Sequence, residues 1–379
     1  MYREQLPIDT AKKNRWKVVL YGLGQLGRDN GIQLLNWIDL KPDFVCDKSV
    51  GAIDQFVLDN PNVEGMVLND LLHIQQDILV LACVGVAYIR EVCEMLRQNP
   101  CLHVLTIDDI CAMDSVLEKF YHIKDISSKA QKSPANISLK DENGTTYLKG
   151  NRIAVFTCVT GGYDVIKEPT YTEEQCDYFL ISDERPESLK VYHFLDVNQI
   201  VPENVTDNAA KNRWCKMHGY EIFKSYKYSI YIDGSIRLVK PISYYVDLIG
   251  ASGIAVHRHS LRDCIYEEGL RLVANKRGNI DFQRLRDQML GYLEEGMPRK
   301  YGLFECGVIV RKHNVPAGNQ IMDQWFDEYM RGQRRDQLSF TYILWKNGVP
   351  ADAVGILNHG NDIRENPDFT TNEEHGTKG

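Results

Sequence analysis

Two periodicities alternate along the first part of the chain. "WKVVLYGLG" carries a short apolar run, Val18 to Tyr21, of the composition that favours a strand. It breaks at Gly22, Gly24 and Gly27 and passes into "GRDNGIQLLNWI", where apolar positions recur at helical spacing. "PDFVCDKS" and "DILVLACVG" repeat the apolar run, "AYIREVCEMLRQ" repeats the helical pattern, and "LHVLTID" closes the series. Apolar runs alternating with helical segments predict βα units and a parallel sheet.

Gly22, Gly24 and Gly27 form G-x-G-x-x-G between a predicted strand and a predicted helix. There, glycines permit a tight turn and the close approach of a diphosphate to the helix N-terminus. Asp47 ends the next predicted strand, 20 residues after Gly27, where a ribose-binding acid sits in a dinucleotide fold. Gly22, Gly24, Gly27 and Asp47 are therefore the candidate cofactor-binding residues, for a nucleotide, of a Rossmann-like domain over residues 1–125. No nicotinamide chemistry follows them, so the motif predicts the fold better than the ligand, and a packing or assembly module is the alternative.

The pattern lapses over residues 126–149, "ISSKAQKSPANISLKDENGTTYLK", whose Ser, Lys, Asn and Gly predict a linker. "NRIAVFTCVTGGYD" then restores a strand followed by Gly161 and Gly162, without the dinucleotide spacing. "CDYFLISDE" ends on Asp183 and "YSIYIDGSI" breaks at Asp233, Gly234 and Ser235. Loops at the carboxyl ends of strands are where open α/β sheets bind ligands. Arg213 and Lys216 come shortly before Asp233, and cations beside a strand-end acid grip a diphosphate. Asp-Gly is also an ordinary turn.

Three later stretches carry candidate chemistry. "HRHSLRDCIYEE" gathers His257, Arg258, Arg262 and Glu267; a helix from near Ser260 would put Asp263 and Glu267 one turn apart, which alone reads as a solvated, salt-bridged face. "FECGVIVRKHN" has Glu305 before a strand and Arg311 and His313 at its end. In "RRDQLSFTYILWK", Leu338, Tyr342 and Trp345 predict an amphipathic helix with Asp336 able to cap its first backbone donors. Residues 359–379 read as a polar tail.

Composition narrows the class. A chain of 379 residues with 44% hydrophobic content supplies two ordinary cores. The net charge of -8 argues against a nucleic-acid binder and leaves anionic small ligands open. Ten cysteines without a C-x-x-C pair predict buried thiols in a reducing compartment. The first residues lack an apolar signal core, and no run approaches the roughly 20 apolar residues of a membrane span. The expectation is a cytoplasmic protein without a transmembrane segment, whose contact with a membrane would be peripheral.

The ordered series "FTCVTGGYD", "YSIYIDGSI", "HRHSLRDCIYEE", "FECGVIVRKHN" and "RRDQLSF" resembles the glycosyltransferase-like domain long catalogued as a domain of unknown function, found in bacterial glycan gene clusters and plant cell-wall-related proteins. The resemblance covers about residues 150 to 350 and implies a GT-A-like, nucleotide-sugar-binding α/β fold over residues 150–358. It implies sugar transfer from a nucleotide-sugar donor to a glycan or lipid-linked glycan acceptor in surface polysaccharide synthesis, capsule or lipopolysaccharide.

By the same resemblance, Asp336 is a general base or orienting carboxylate, Gln337 a hydrogen-bond partner of the sugar, and Glu305 a sugar-binding or base residue. Thr157, Gly161, Gly162, Tyr163, Asp183, Arg213, Lys216, Asp233, Ser235, His257, Arg258, Arg262, Glu267, Arg311 and Arg335 are the implied substrate-binding set. A divalent cation, Mn²⁺ or Mg²⁺, would be held by Asp233, with His313 a further candidate ligand, although the second acid of an Asp-x-Asp motif is replaced by Ser235. Arg213, Lys216 or Arg258 could supply that charge without metal. The rivals are an amidase-like hydrolase of the same family and a non-catalytic nucleotide-binding scaffold. The sequence has no G-x-S-x-G or H-E-x-x-H motif to support the hydrolase.

Overall fold

The computed structural model describes residues 7–142, 144–275, 280–360 and 363–371. The chain forms two units, Met1–Ser128 with Tyr266–Phe282, and Lys129–Ile265 with Gln283–Gly379.

In the first unit, β1 (Lys17–Tyr21), β2 (Phe44–Asp47), β3 (Glu64–Val67), β4 (Ile78–Ala82) and β5 (Leu102–Thr106) form a parallel sheet in the order β3-β2-β1-β4-β5. Val19 lies opposite Val80 in the central pair, and both are wholly buried. That accounts for the unbroken apolar runs, because a parallel strand covered on both faces has no polar side to show. Gly22 has φ +91°, and a Cβ on Gly27 would lie 1.7 Å from the Gly22 carbonyl oxygen. The strand-to-helix turn itself thus demands these two glycines.

The helix Ile265–Ala274 comes from the middle of the second half of the chain, yet from Tyr266 onward it belongs to the first unit. Tyr266 is fully buried, its carbonyl accepts the Tyr121 hydroxyl at 2.8 Å, and Arg271 Nε meets Asp108 Oδ1 at 3.1 Å. This helix begins five residues later than expected. His259 Nδ1 accepts the backbone N–H groups of Leu261 and Arg262 at 3.2 and 3.1 Å, a local turn that competes with a helix start at Ser260. Asp263 therefore lies outside the helix that carries Glu267.

The second unit is built on a seven-stranded mixed sheet in the order β13-β11-β12-β9-β6-β7-β8. Its strands are β6 (Ile153–Val159), β7 (Cys176–Ser182), β8 (His193–Asp196), β9 (Tyr228–Ile232), β11 (Ile254–Arg258), β12 (Phe304–Lys312) and β13 (Gly355–Ile356). β6 is buried at every position and runs parallel to both β7 and β9, while β12 is antiparallel to β9 and β11. The helix Asp336–Lys346 is buried from Leu338 through Trp345 and not along one stripe. It is a central helix, which replaces the amphipathic expectation.

A second, two-stranded sheet pairs β10 (Ile236–Leu238) with β14 (Phe369–Thr371) antiparallel, Ile236 opposite Thr371. Residues 363–371 of the expected polar tail are thus folded, because Phe369 is apolar and packs on Tyr245, whose hydroxyl donates to Asp368 at 2.9 Å. Residues 361, 362 and 372–379 of that stretch lie outside the described residues. None of the ten cysteines is in a disulfide, and nine of them are buried. Among the described residues no helix is long and apolar enough to cross a membrane.

Candidate active site

The parallel strands β6 and β9 are neighbours, but the chain leaves β6 toward β7 on the other side. Their carboxyl ends therefore flank a topological switch point, the place where an open sheet offers a crevice. The loop after β6, with Gly161 and Gly162 at φ +63° and +62°, and the turn after β9, with Asp233, both lie there.

Backbone and side chains fix the Asp233 turn. Asp233 N–H donates to the Gly307 carbonyl at 2.8 Å, and its own carbonyl accepts from Ile236 N–H at 2.9 Å. The buried Lys167 donates Nζ to the Ser235 carbonyl at 3.0 Å. A Cβ on Gly234 would stand 2.8 Å from Val159 Cγ2 and 2.9 Å from Asp164 Oδ2. Glycine is what lets the loop after β6 close onto this turn.

The cations come from the helix Asn208–Met217. Asp207 caps it by accepting from Ala210 N–H at 2.9 Å, and Asn212 ties it to β6 by donating Nδ2 to the Cys158 carbonyl at 2.6 Å. Arg213 and Lys216, three positions apart, share one face. Lys216 Nζ lies 2.7 Å from Asp336 Oδ2 and 3.4 Å from Asp233 Oδ1, and Arg213 Nε lies 3.1 Å from Asp336 Oδ2. The Arg213 contact is an ion pair without hydrogen-bond alignment. Lys216 is 1% exposed, whereas the side chain of Asp233 is 31% exposed, so the acid faces solvent and the lysine stands behind it.

Asp336 opens its helix, with Arg335 in the N-cap position. Its Oδ1 accepts from Gln337 N–H at 3.0 Å, and its Oδ2 turns to the two cations. Burial works to raise its pKa, but Lys216 and then Arg213 outweigh burial and hold it well below the usual carboxylate range. Burial likewise opposes the charge of Arg213, and Asp336 followed by Asp233 overcomes it. Tyr231, fully buried two residues before Asp233, donates its hydroxyl to Asp233 Oδ1 at 2.7 Å. Burial, then Asp233, pushes the phenol well above its ordinary pKa, so it stays a donor.

His313 does not fit as a ligand of a divalent cation at Asp233. His313 is buried, with Nδ1 2.8 Å from the Tyr226 carbonyl and Nε2 2.8 Å from Ser229 Oγ, so both ring nitrogens are engaged. Asp233 Oδ1 already takes the Tyr231 hydroxyl and the Lys216 ammonium.

The remaining expected residues are distributed as follows. Asp183 accepts Gly161 N–H with both oxygens, at 2.9 and 3.1 Å, and braces the glycine loop, while Tyr163 is exposed beyond it. Thr157 is buried within β6, away from the loop. Glu305 lies on β12 two residues before Gly307, and its Oε2 accepts Ile363 N–H at 3.3 Å. Gln337 and Arg335 are half-buried at the start of the Asp336 helix.

His257 is buried with Nε2 3.0 Å from Asn366 Nδ2, Arg258 is exposed, and Arg262 Nη2 lies 3.0 Å from His259 Nε2. Glu267 is buried in the first unit, and Arg311 is buried beneath the cation-bearing helix with Nη2 on the Lys216 carbonyl. In the first unit, Asp47 Oδ2 accepts Leu23 N–H at 2.6 Å and Oδ1 accepts Ser49 N–H at 2.8 Å, so this acid braces the glycine loop. Gly24 sits at the exposed helix start with open space where a Cβ would be.

Sequence reasoning missed Tyr231, Asn212, Lys167 and Asp164. Tyr231 had a signal, since strand alternation puts it on the face of Asp233. The others act across long sequence separations that no local pattern reports.

A chain with a five-stranded parallel sheet, a larger mixed sheet and paired acids and cations at strand ends is a mixed α/β protein. Residues 122–355 match the family described as TOD1/MUCI70, glycosyltransferase-like domain, and the chain belongs to that family. A relative is the "Probable hexosyltransferase MUCI70" of Arabidopsis thaliana, 29% identical over 214 residues, covering 50% of this chain and 37% of that protein. The match thus spans little more than a third of the relative's length. Among solved structures, a WbbM bifunctional glycosyltransferase in its apo form aligns at TM-score 0.36 and 13% identity, over 72% of this chain and 52% of the other. Mouse xyloside xylosyltransferase 1, also apo, aligns at TM-score 0.24 and 10% identity, over 88% and 83%.

Proposed function

We propose that the second unit is a GT-A-like hexosyltransferase, moving a sugar from a nucleotide-sugar donor to a hydroxyl of a glycan or lipid-linked glycan. The observation that carries this reading is Lys216 between Asp336 and Asp233, at 2.7 and 3.4 Å, at the switch point of the sheet. Buried cations beside a solvent-facing acid suit a donor whose diphosphate gains charge as it leaves. Family membership supports the same class of reaction. The setting we assign, assembly of a surface polysaccharide on the cytoplasmic side of a membrane, rests on the resemblance to glycan-cluster proteins.

In the reaction, the bond from the anomeric carbon to the diphosphate oxygen breaks while the acceptor oxygen bonds to that carbon. Lys216 and Arg213 neutralise the departing diphosphate. Asp233 holds a sugar hydroxyl, oriented by Tyr231. Asp336 is too strongly stabilised as an anion to take a proton efficiently at neutral pH, so its part is to hold the two cations. The acceptor proton goes to Glu305, two residues before Gly307 on β12, where Gly307 lies beside Asp233.

The test is release of nucleotide diphosphate by the full chain from a panel of UDP-, GDP- and dTDP-hexoses, and of CMP from CMP-sugars, with glycan acceptors. One donor turned over by the wild type, and at least 100-fold more slowly by Asp233→Asn and Lys216→Met, is the expected result. A folded protein that neither binds nor consumes any donor would make the scaffold reading the better one.

A further inference from the structure

Arg311 stands on β12, opposite Ser229 of β9 and Ile254 of β11, and is 2% exposed. Nη2 donates to the Lys216 carbonyl, whereas Nε and Nη1 have no hydrogen-bond partner among the described residues. Burial pushes the guanidinium down to about 9 from its ordinary range. A buried cation with two unmet donors does not earn its place by stabilising the fold; apolar residues of similar volume commonly do as well or better.

Its location gives another reason for it. The Lys216 carbonyl is among the last four of the helix Asn208–Met217, which no following turn of the helix can satisfy, and a positive charge there complements the helix dipole. Gly219, just past the helix end, lies against the guanidinium, since a Cβ there would be 2.6 Å from Nη1. Backbone and guanidinium are therefore in direct contact at the turn that carries Lys216.

We propose that Arg311 is a positioning residue: clamped on the Lys216 carbonyl, it fixes the last turn of the Asn208–Met217 helix so that Lys216 stands between Asp233 and Asp336. This inference rests on the transferase reading for its catalytic consequence, but not for its structural one. It also moves Arg311 from the substrate-binding set, where the sequence put it, to a place behind the site.

The experiment measures Lys216 directly. The full chain is treated with an amine-acetylating reagent, and labelling rates are read by mass spectrometry in the wild type, Arg311→Met and Arg311→Lys. Lys167, buried but in the loop after β6, is the internal control. In Arg311→Met we expect Lys216 to label at least tenfold faster, with Lys167 unchanged and thermal stability equal or higher. Arg311→Lys, which keeps the charge, should recover most of the protection. Where a donor is turned over, kcat should fall in Arg311→Met more than KM rises.

Unchanged Lys216 labelling in a folded Arg311→Met protein overturns the proposal, whatever the activity. Equal acceleration at both lysines overturns it too, because that is general loosening. If Arg311→Met does not fold, Arg311→Gln decides: folded with a several-fold rise at Lys216 alone supports the clamp, and either wild-type labelling or failure to fold rejects it. Absence of turnover in the wild type, with the labelling result intact, would count against the transferase reading and leave the clamp standing.

Discussion

Lys216 and Asp336 are 120 positions apart in the chain, and their charged ends meet at 2.7 Å. Lys216 also reaches Asp233, 17 positions on, at 3.4 Å, so one ammonium joins a helix end, a strand end and a helix start. The pair is almost out of water, with side chains 2% and 16% exposed. At that depth the loss of one partner leaves the other uncompensated.

Asp336→Asn or Lys216→Met alone is expected to destabilise the second unit by about 3 kcal/mol, the low end for a buried pair because a second partner remains in each case. The double variant should cost less than the sum of the two. Urea unfolding of the four proteins checks this, and additive costs would show that the pair does not interact.

If Lys216 and Arg213 supply the charge opposite the leaving diphosphate, as proposed, turnover should persist in EDTA. Initial rates with and without chelator, and after adding back Mn²⁺, test this. A rate that collapses in EDTA and returns with Mn²⁺ would assign that work to a cation instead.

His313 should stay neutral far into acid. Burial first, and Arg311 second, push its pKa down to about 3. A histidine depressed in the folded state takes up protons more readily when unfolded, so its contribution to stability is complete above about pH 6.5 and is lost as pH falls toward 3. Imidazole NMR resonances followed from pH 7 to 4 should show no titration at His313; a midpoint near 6.5 would contradict the burial described here.

Gly27→Ala should unfold the first unit or lower its stability severely, since the new Cβ would stand 1.7 Å from the Gly22 carbonyl. Gly24→Ala meets nothing within 4 Å and should be close to neutral for folding. Thermal melts of the two variants compare them directly. Equal effects would mean that the glycines serve something other than the turn.

The sequence displayed these elements unevenly. The parallel sheet of the first unit was legible because strands buried on both faces are written as plain apolar runs, Val18–Tyr21 and Ile78–Ala82 among them. Arg213, Lys216, Asp233 and Asp336 were each legible as charges at element ends, and the structure brings these four together. What composition and spacing could not report was which face a residue takes or which unit claims it. Arg311 and His313 resemble surface residues after a strand until the helix end and Ser229 are seen to cover them. Glu267 lies within a motif of the second half, but its helix packs elsewhere. Residues 363–371 look polar, yet Phe369 is enough to seat a strand beside β10.

The excursion of Tyr266–Phe282 into the first unit also decides how this protein can be taken apart. The chain must run from the first unit to the second, return, and leave again, so the boundary between them is crossed three times. A fragment ending at residue 125 lacks Tyr266 and Arg271, and the Tyr121 hydroxyl and Asp108 lose the partners that the intact chain gives them. A fragment starting at residue 150 carries the same helix with its apolar face uncovered. Cutting at the linker should therefore yield two aggregation-prone pieces, while mixing them should restore solubility; size-exclusion chromatography of the separate and combined fragments reads this out. Neither unit can be lent to another protein as a contiguous cassette, and a duplication or fusion that carried only one stretch of the gene would carry an unfinished fold.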